Sequence, residues 1–138
     1  MRILMSGASG LIGSALNSRL TADGHTVTRL VRREAKAGEV TWDPAAGTLD
    51  PAAFDGCDAV INLSGAGIGD KRWTDDYKEQ LLSSRLKTTE LLASTMVSLD
   101  RMPSVFISGS AVGWYGDRGD EKLDELSVSG SDFLSDLC

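Results

Sequence analysis

Three glycines near the start of the chain restrict its folding more than any other feature. They lie in Met5-Ser6-Gly7-Ala8-Ser9-Gly10-Leu11-Ile12-Gly13, spaced GxxGxxG. A short apolar run over residues 2–5 precedes them, and residues 11–20 then repeat apolar side chains at helical spacing. Glycine spacing of this kind at a strand-to-helix junction has a physical use. Gly7 permits the tight turn, Gly10 leaves room for a pyrophosphate to reach the backbone, and Gly13 lets helix and strand pack closely. Free N–H groups at the helix start then face an anion with help from the helix dipole. The expectation is a diphosphate cradle at this loop.

The rest of the chain alternates strand and helix. Ala22-Asp23-Gly24-His25 closes the first helix, and residues 26–31 are rich in β-branched side chains. A looser stretch at 32–54 holds a short strand at 40–42 and a brief helix opened by Pro51. Residues 58–63 form a continuous apolar run, as in a strand buried on both faces. Thr74 reads as the N-cap of a helix reaching Leu99, with Leu81, Leu82, Leu86, Leu92 and Met96 as its buried stripe. A fifth strand follows at 104–108, and 132–138 resembles the opening turns of another helix. Such alternation implies an α/β fold of the Rossmann type, a doubly wound parallel sheet with helices on both faces. The whole of 1–138 reads as one nucleotide-binding domain that ends in mid-element.

The end of the second strand bears on which dinucleotide fits. A site for NAD usually offers a carboxylate there to the ribose hydroxyls. Here the strand ends in Arg32-Arg33, and a guanidinium can pair bidentately with the 2′-phosphate of NADP. Arg32 is the first candidate and Arg33 its helper, so NADP(H) is expected over NAD(H). A solvated basic turn, part-neutralised by Glu34, is the alternative.

Composition closes off other classes. Net charge is −6 and the charged fraction 25%, which disfavours a general nucleic-acid or anionic-membrane surface. No apolar run approaches the ~18 residues that span a bilayer, and the apolar start is too short for a secretory core. The expected compartment is the cytoplasm, and the expected partner a small-molecule substrate. Cys57 and Cys138 are far apart with no ligand-like neighbours, so no metal site is expected.

Three segments together resemble the extended short-chain dehydrogenase/reductase family, and within it the epimerase/dehydratase branch that includes nucleotide-sugar epimerases. They are Ser6 to Gly13, Asp58-Ala59-Val60-Ile61-Asn62-Leu63-Ser64-Gly65, and Ile107-Ser108-Gly109-Ser110-Ala111. Ser84-Arg85 with Thr88-Thr89, and the run from Ser110 through Gly113-Trp114-Tyr115-Gly116 to Glu121, resemble an epimerase-like subgroup, some of whose members carry a "cell division inhibitor" label. The resemblance implies a further C-terminal substrate domain beyond this length. It implies that Gly7, Ser9, Gly10, Leu11, Ile12 and Gly13 hold the pyrophosphate and that Trp42-Asp43 meet the adenine, although Asp43 before Pro44 also reads as a turn residue. Leu63, Ser64 and Gly65 would line the ribose and nicotinamide side, and Ser110 would be the catalytic serine that holds the reacting oxygen. Family subunits pair through long helices, so the helix at 74–99 is the candidate for a homodimer contact.

The same resemblance exposes two departures. The family's acid/base tyrosine is due near residues 132–135, where the chain reads Asp132-Phe133-Leu134-Ser135. A supporting asparagine on the long helix is replaced, most simply by Arg85. Trp73 and Trp114 follow strand ends and are candidates either for a pocket wall or for ordinary packing. Two functional readings therefore stand: an NADP(H)-using oxidoreductase or isomerase, and a non-catalytic NADPH sensor of the same fold.

Overall fold

A computed structural model describes residues 1–138. Five strands, β1 (Arg2–Ser6), β2 (Thr26–Val31), β3 (Glu39–Thr41), β4 (Ala59–Asn62) and β5 (Val105–Ser108), form one parallel sheet in the order β3-β2-β1-β4-β5. The order reverses between β1 and β4, so a crevice opens beyond their carboxyl ends. Registers are set by alternation: Ile3 and Met5 with Ala59 and Ile61 face one side, Leu4 and Val60 the other.

Each face has its own helix. α1 (Leu11–Ala22) lays Leu16 and Leu20 against Ile3, Met5, Ala59 and Ile61. α2 (Asp75–Val97) brings Leu92 and Met96 onto Leu4, Leu30 and Val60, where Trp42, Leu49, Phe54 and Cys57 complete the larger core. Thr74 caps α2 as anticipated, its side chain accepting from the Tyr77 N–H at 3.2 Å, with Asp75 and Asp76 in the first turn. A short helix, α3 (Phe133–Leu137), begins at Asp132, whose carboxylate accepts from the Ser135 N–H. It packs Leu137, Phe133 and Leu134 on Tyr77 and Leu81. No helix is long and apolar enough to cross a membrane.

Element bounds match the sequence reading to within two residues; the α2 stripe needs correction. Leu82 and Leu86 are 40% and 56% exposed, while Tyr77 and Thr88 are buried with Leu81, Leu92 and Met96. At about 100° per residue, Leu82 stands a quarter-turn or more off the line through Leu81, Thr88 and Leu92. On the inward side at mid-helix stand Ser84 and Arg85 instead, where Ser84 Oγ accepts from the Ala66 N–H and Arg85 donates to the Ala66 carbonyl. Leu92→Ala should therefore cost about 2–5 kcal/mol, and Leu86→Ala less than about 0.5 kcal/mol, in urea unfolding. Comparable losses at both positions would contradict this packing.

Candidate functional site

At the crevice, β1, β4 and α1 meet too closely for side chains. Gly7 has φ +70°, and a Cβ there would meet the Leu63 carbonyl. A Cβ on Gly13 would collide with the Gly7 carbonyl and lie 2.8 Å from Ala8 Cα. Below this junction, the Ser6 hydroxyl donates to Asn62 Oδ1 at 2.6 Å in a buried contact. Asn62 also donates to Thr89 Oγ1 and accepts from the Ser64 N–H. These bonds tie the ends of β1 and β4 to α2 and fix the crevice floor.

The start of α1 is left open. Thr74 caps α2 and Asp132 caps α3, but Gly10 offers no side chain, and no side chain bonds the first-turn N–H groups of α1. Its first turn also has no acidic residue. Orphan amide donors beside a backbone stripped of Cβ atoms are the chemistry that accepts a phosphate. The glycine loop fits a dinucleotide's diphosphate on this count.

A cleft of about 960 Å³ runs from this loop over the carboxyl edge of the sheet. It contains most of the residues expected from the sequence: Gly7, Ser9 and Gly10; Arg32 and Arg33; Trp42 and Asp43; Leu63, Ser64 and Gly65. Leu11 and Ile12 contribute no wall, their side chains being 90% and 69% exposed, so any part they play is through backbone N–H groups. Gly13 is buried behind the loop as a spacer. Ser110 also lies outside the cleft wall; its hydroxyl donates to the Cys138 carbonyl at 3.3 Å.

The arginine corner is more elaborate than the sequence suggested. Glu39, whose side chain is only 2% exposed, accepts a bidentate pair from Arg33 at 2.7 and 2.8 Å. It also forms an ion pair with Arg29 at 3.0 Å and accepts from the Lys36 N–H at 3.0 Å. Arg29 and Glu39 are cross-strand partners in β2 and β3, and both line the cleft. Arg32 enters no ion pair and no side-chain hydrogen bond, leaving its guanidinium uncommitted. Sequence reading missed Arg29 and Glu39 because their pairing depends on strand register.

Asp43 serves the turn: its Oδ1 accepts from the Ala45 and Ala46 N–H groups at 2.9 and 3.1 Å. It still borders the cleft, so the turn role and the adenine role are compatible. Trp42 is 3% exposed and belongs to the core, with part of its surface forming cleft floor. Trp73 and Trp114 line no part of this cleft. Trp73 stacks edge-to-face on Phe133 and donates to the Ile68 carbonyl, so packing explains it.

Neither tyrosine offers a free hydroxyl. Tyr77 Oη donates to the Gly67 carbonyl, and Tyr115 Oη donates to the Asp124 carbonyl at 3.0 Å. Arg85 donates to the Ala66 and Leu81 carbonyls. The cleft wall carries five cationic side chains against three acidic ones, in a chain of net charge −6.

Sheet order and crevice define a Rossmann-type domain with a positively biased cleft at its topological switch point. The chain belongs to the NAD dependent epimerase/dehydratase family, whose model matches residues 3–132. It is 42% identical over 137 residues to an epimerase family protein of Mycobacterium bovis, covering 99% of this chain and 45% of that protein. Among solved structures, it is similar to human epimerase family protein SDR39U1 (isoform 2) with NADPH: TM-score 0.86, 35% identity, 99% of this chain and 46% of that one. A nucleoside-diphosphate sugar epimerase of Corynebacterium glutamicum superposes with TM-score 0.84 at 40% identity, over 100% of this chain and 28% of that one. The chain thus spans less than half the length of these relatives.

Two measurements probe the site's construction. Gly13→Ala should destabilise by about 1–3 kcal/mol because backbone atoms cannot yield, whereas Gly69→Ala, with nothing within 4 Å, should be near neutral. Arg33 is the main cause that holds the Glu39 carboxyl down to about 2 from the ordinary 4.5, with the Lys36 N–H second. A depressed folded-state value makes the ion pair stabilising above about pH 4.5 and progressively less so as pH falls toward 2. The stability difference between parent and Glu39→Gln, measured by urea from pH 7 to 3, should shrink toward the acid end. A difference independent of pH would place its origin elsewhere.

Proposed function

We propose that this chain is the NADP(H)-binding part of an epimerase- or reductase-like oxidoreductase acting on a hydroxylated substrate of the nucleotide-sugar class. The observation that carries the cofactor reading is the division of labour at the arginine corner. Glu39 is the acidic group of that corner, and both its oxygens are taken by Arg33 and Arg29. No carboxylate remains there for a bare ribose diol, and Arg32 stands free for a phosphoryl group. The SDR39U1 structure with NADPH supports the same choice.

In this reading the loop amides and Ser9 hold the diphosphate, while Arg32 reads the 2′-phosphate. Trp42 and Asp43 bound the adenine end, and residues 63–65 border the ribose. When bound, the cofactor supplies a hydride donor or acceptor. Ser110, at the end of β5, would hold the substrate's reacting oxygen by hydrogen bonding. Proton transfer needs a group other than Tyr77 or Tyr115, whose hydroxyls are given to carbonyls. That commitment favours a second reading, a dinucleotide-binding sensor without turnover.

NADPH should bind the full-length protein more tightly than NADH, and Arg32→Ala should remove most of the difference. A charge-assisted phosphate contact is worth about 1.5–3 kcal/mol, so the expected loss is roughly 10- to 100-fold in NADPH affinity. Fluorescence titration of both nucleotides decides this, and equal affinities in the parent would defeat the assignment. Following NADPH oxidation over a panel of keto-sugars separates enzyme from sensor. Tight cofactor binding with persistent inactivity would select the sensor.

A further inference from the structure

Three guanidinium groups, of Arg29, Arg32 and Arg33, line one corner of the cleft. Like charges crowded together repel, and exposed arginine side chains would ordinarily splay into solvent. A single carboxylate opposes this. Glu39 opens β3 with its side chain 2% exposed, and its two oxygens bind Arg33 through both terminal nitrogens while Oε1 also takes Arg29. The same carboxylate accepts from the Lys36 N–H, and so closes the turn that joins β2 to β3. Arg33 is fixed at its backbone as well, because the Thr41 hydroxyl donates to its carbonyl at 2.9 Å. Arg32, the adjoining residue, is thereby mounted on an anchored backbone without a partner of its own.

The geometry points to Glu39 as the positioning residue for 2′-phosphate discrimination, the counter-ion that lets the arginines share one corner and leaves Arg32 free to read the phosphate. This rests on the NADP(H) reading above and adds the residue that sets the strength of the preference. Glu39 acts through the arginines and needs no contact with the nucleotide. Preorganised cations bind an anion better than mobile ones because less ordering remains to be done on binding. A nucleotide without the 2′-phosphate makes no use of that order.

Glu39→Gln keeps the size of the side chain and one carbonyl acceptor while removing the charge. In the full-length protein it should weaken NADPH binding about tenfold and leave NADH binding within about twofold. Arg33→Ala removes the cation that Glu39 holds most closely, so it should shift the NADPH:NADH ratio in the same direction. The double variant should be no weaker than Arg33→Ala by more than about twofold, as expected for groups acting as one unit. A role in folding alone would lower both affinities and the Tm together, so circular dichroism and Tm are read beside the titrations; Arg33→Ala keeps the test open if Glu39→Gln does not fold. Undiminished NADPH preference in Glu39→Gln, or equal losses for the two nucleotides, overturns this inference alone. A parent protein without preference overturns the cofactor reading and this inference together.

Discussion

Everything about the cleft depends on how closely two carbonyls approach a helix start. The Leu63 carbonyl, just past β4, occupies the space beside Gly7, and the Gly7 carbonyl occupies the space beside Gly13. Neither distance survives a Cβ, so the glycines are a packing requirement before they are a binding feature. The contact sets α1 down on the sheet at one place only, with its open amides directed at the crevice. Ser6 and Asn62 lock the same junction from beneath by a buried hydrogen bond, and no buried side-chain polar atom lacks a partner. A site built on such a junction is rigid where the diphosphate would lie.

Electrostatics acts on top of that frame, and its sign is local. An overall charge of −6 repels a polyanion at distance, yet screening confines that field to about 8 Å at physiological salt. Inside the cleft, side chains on and just after β2, on the β4–α2 loop and on α2 reverse the sign. Lys71 and Lys87 add to the arginines. Asp70 and Asp43 temper them without cancelling them. A ligand with several negative charges would be selected at short range, by groups it touches. This also separates a nucleotide site from a nucleic-acid surface, which would need cations spread over a face rather than gathered in a crevice.

How much of this the sequence displayed follows from the range of each interaction. The glycine loop and the Thr74 cap are written within a few residues, and both are found where the local pattern puts them. β4 was legible because a strand covered on both sides shows as an unbroken apolar run. The α2 stripe was misread at Leu82 and Leu86, since composition does not reveal that Ser84 and Arg85 face inward to hold the Ala66 backbone. Trp42 carries two functions that no pattern separates, core filler and cleft floor. The Arg29–Glu39 pairing is invisible without register, because nine residues, a turn among them, divide the partners. Arg33 could be named from sequence as a helper, but not that its fork is occupied by Glu39.

The structure also separates binding from chemistry in a way that bears on both functional readings. The loops that follow β1 and β4, together with β2, β3 and α2, build the cleft. Ser110 stands apart, at the end of edge strand β5, where Val105 and Ile107 are 41% and 51% exposed and the local sheet face is uncovered. Its partner, the Cys138 carbonyl, follows α3 and is not part of the sheet. Tyr77 shows what happens to a hydroxyl on the cleft side: it is spent on pinning Gly67 in the β4–α2 loop, as Trp73 and Arg85 pin Ile68 and Ala66. Three side chains thus fix three successive carbonyls beside the cleft. Acid–base work would require a group whose proton is free to move, and the cleft wall assigns its tyrosine to the opposite task. Both tyrosine hydroxyls are thus committed to backbone carbonyls, while the glycine loop and the arginine corner are built without them.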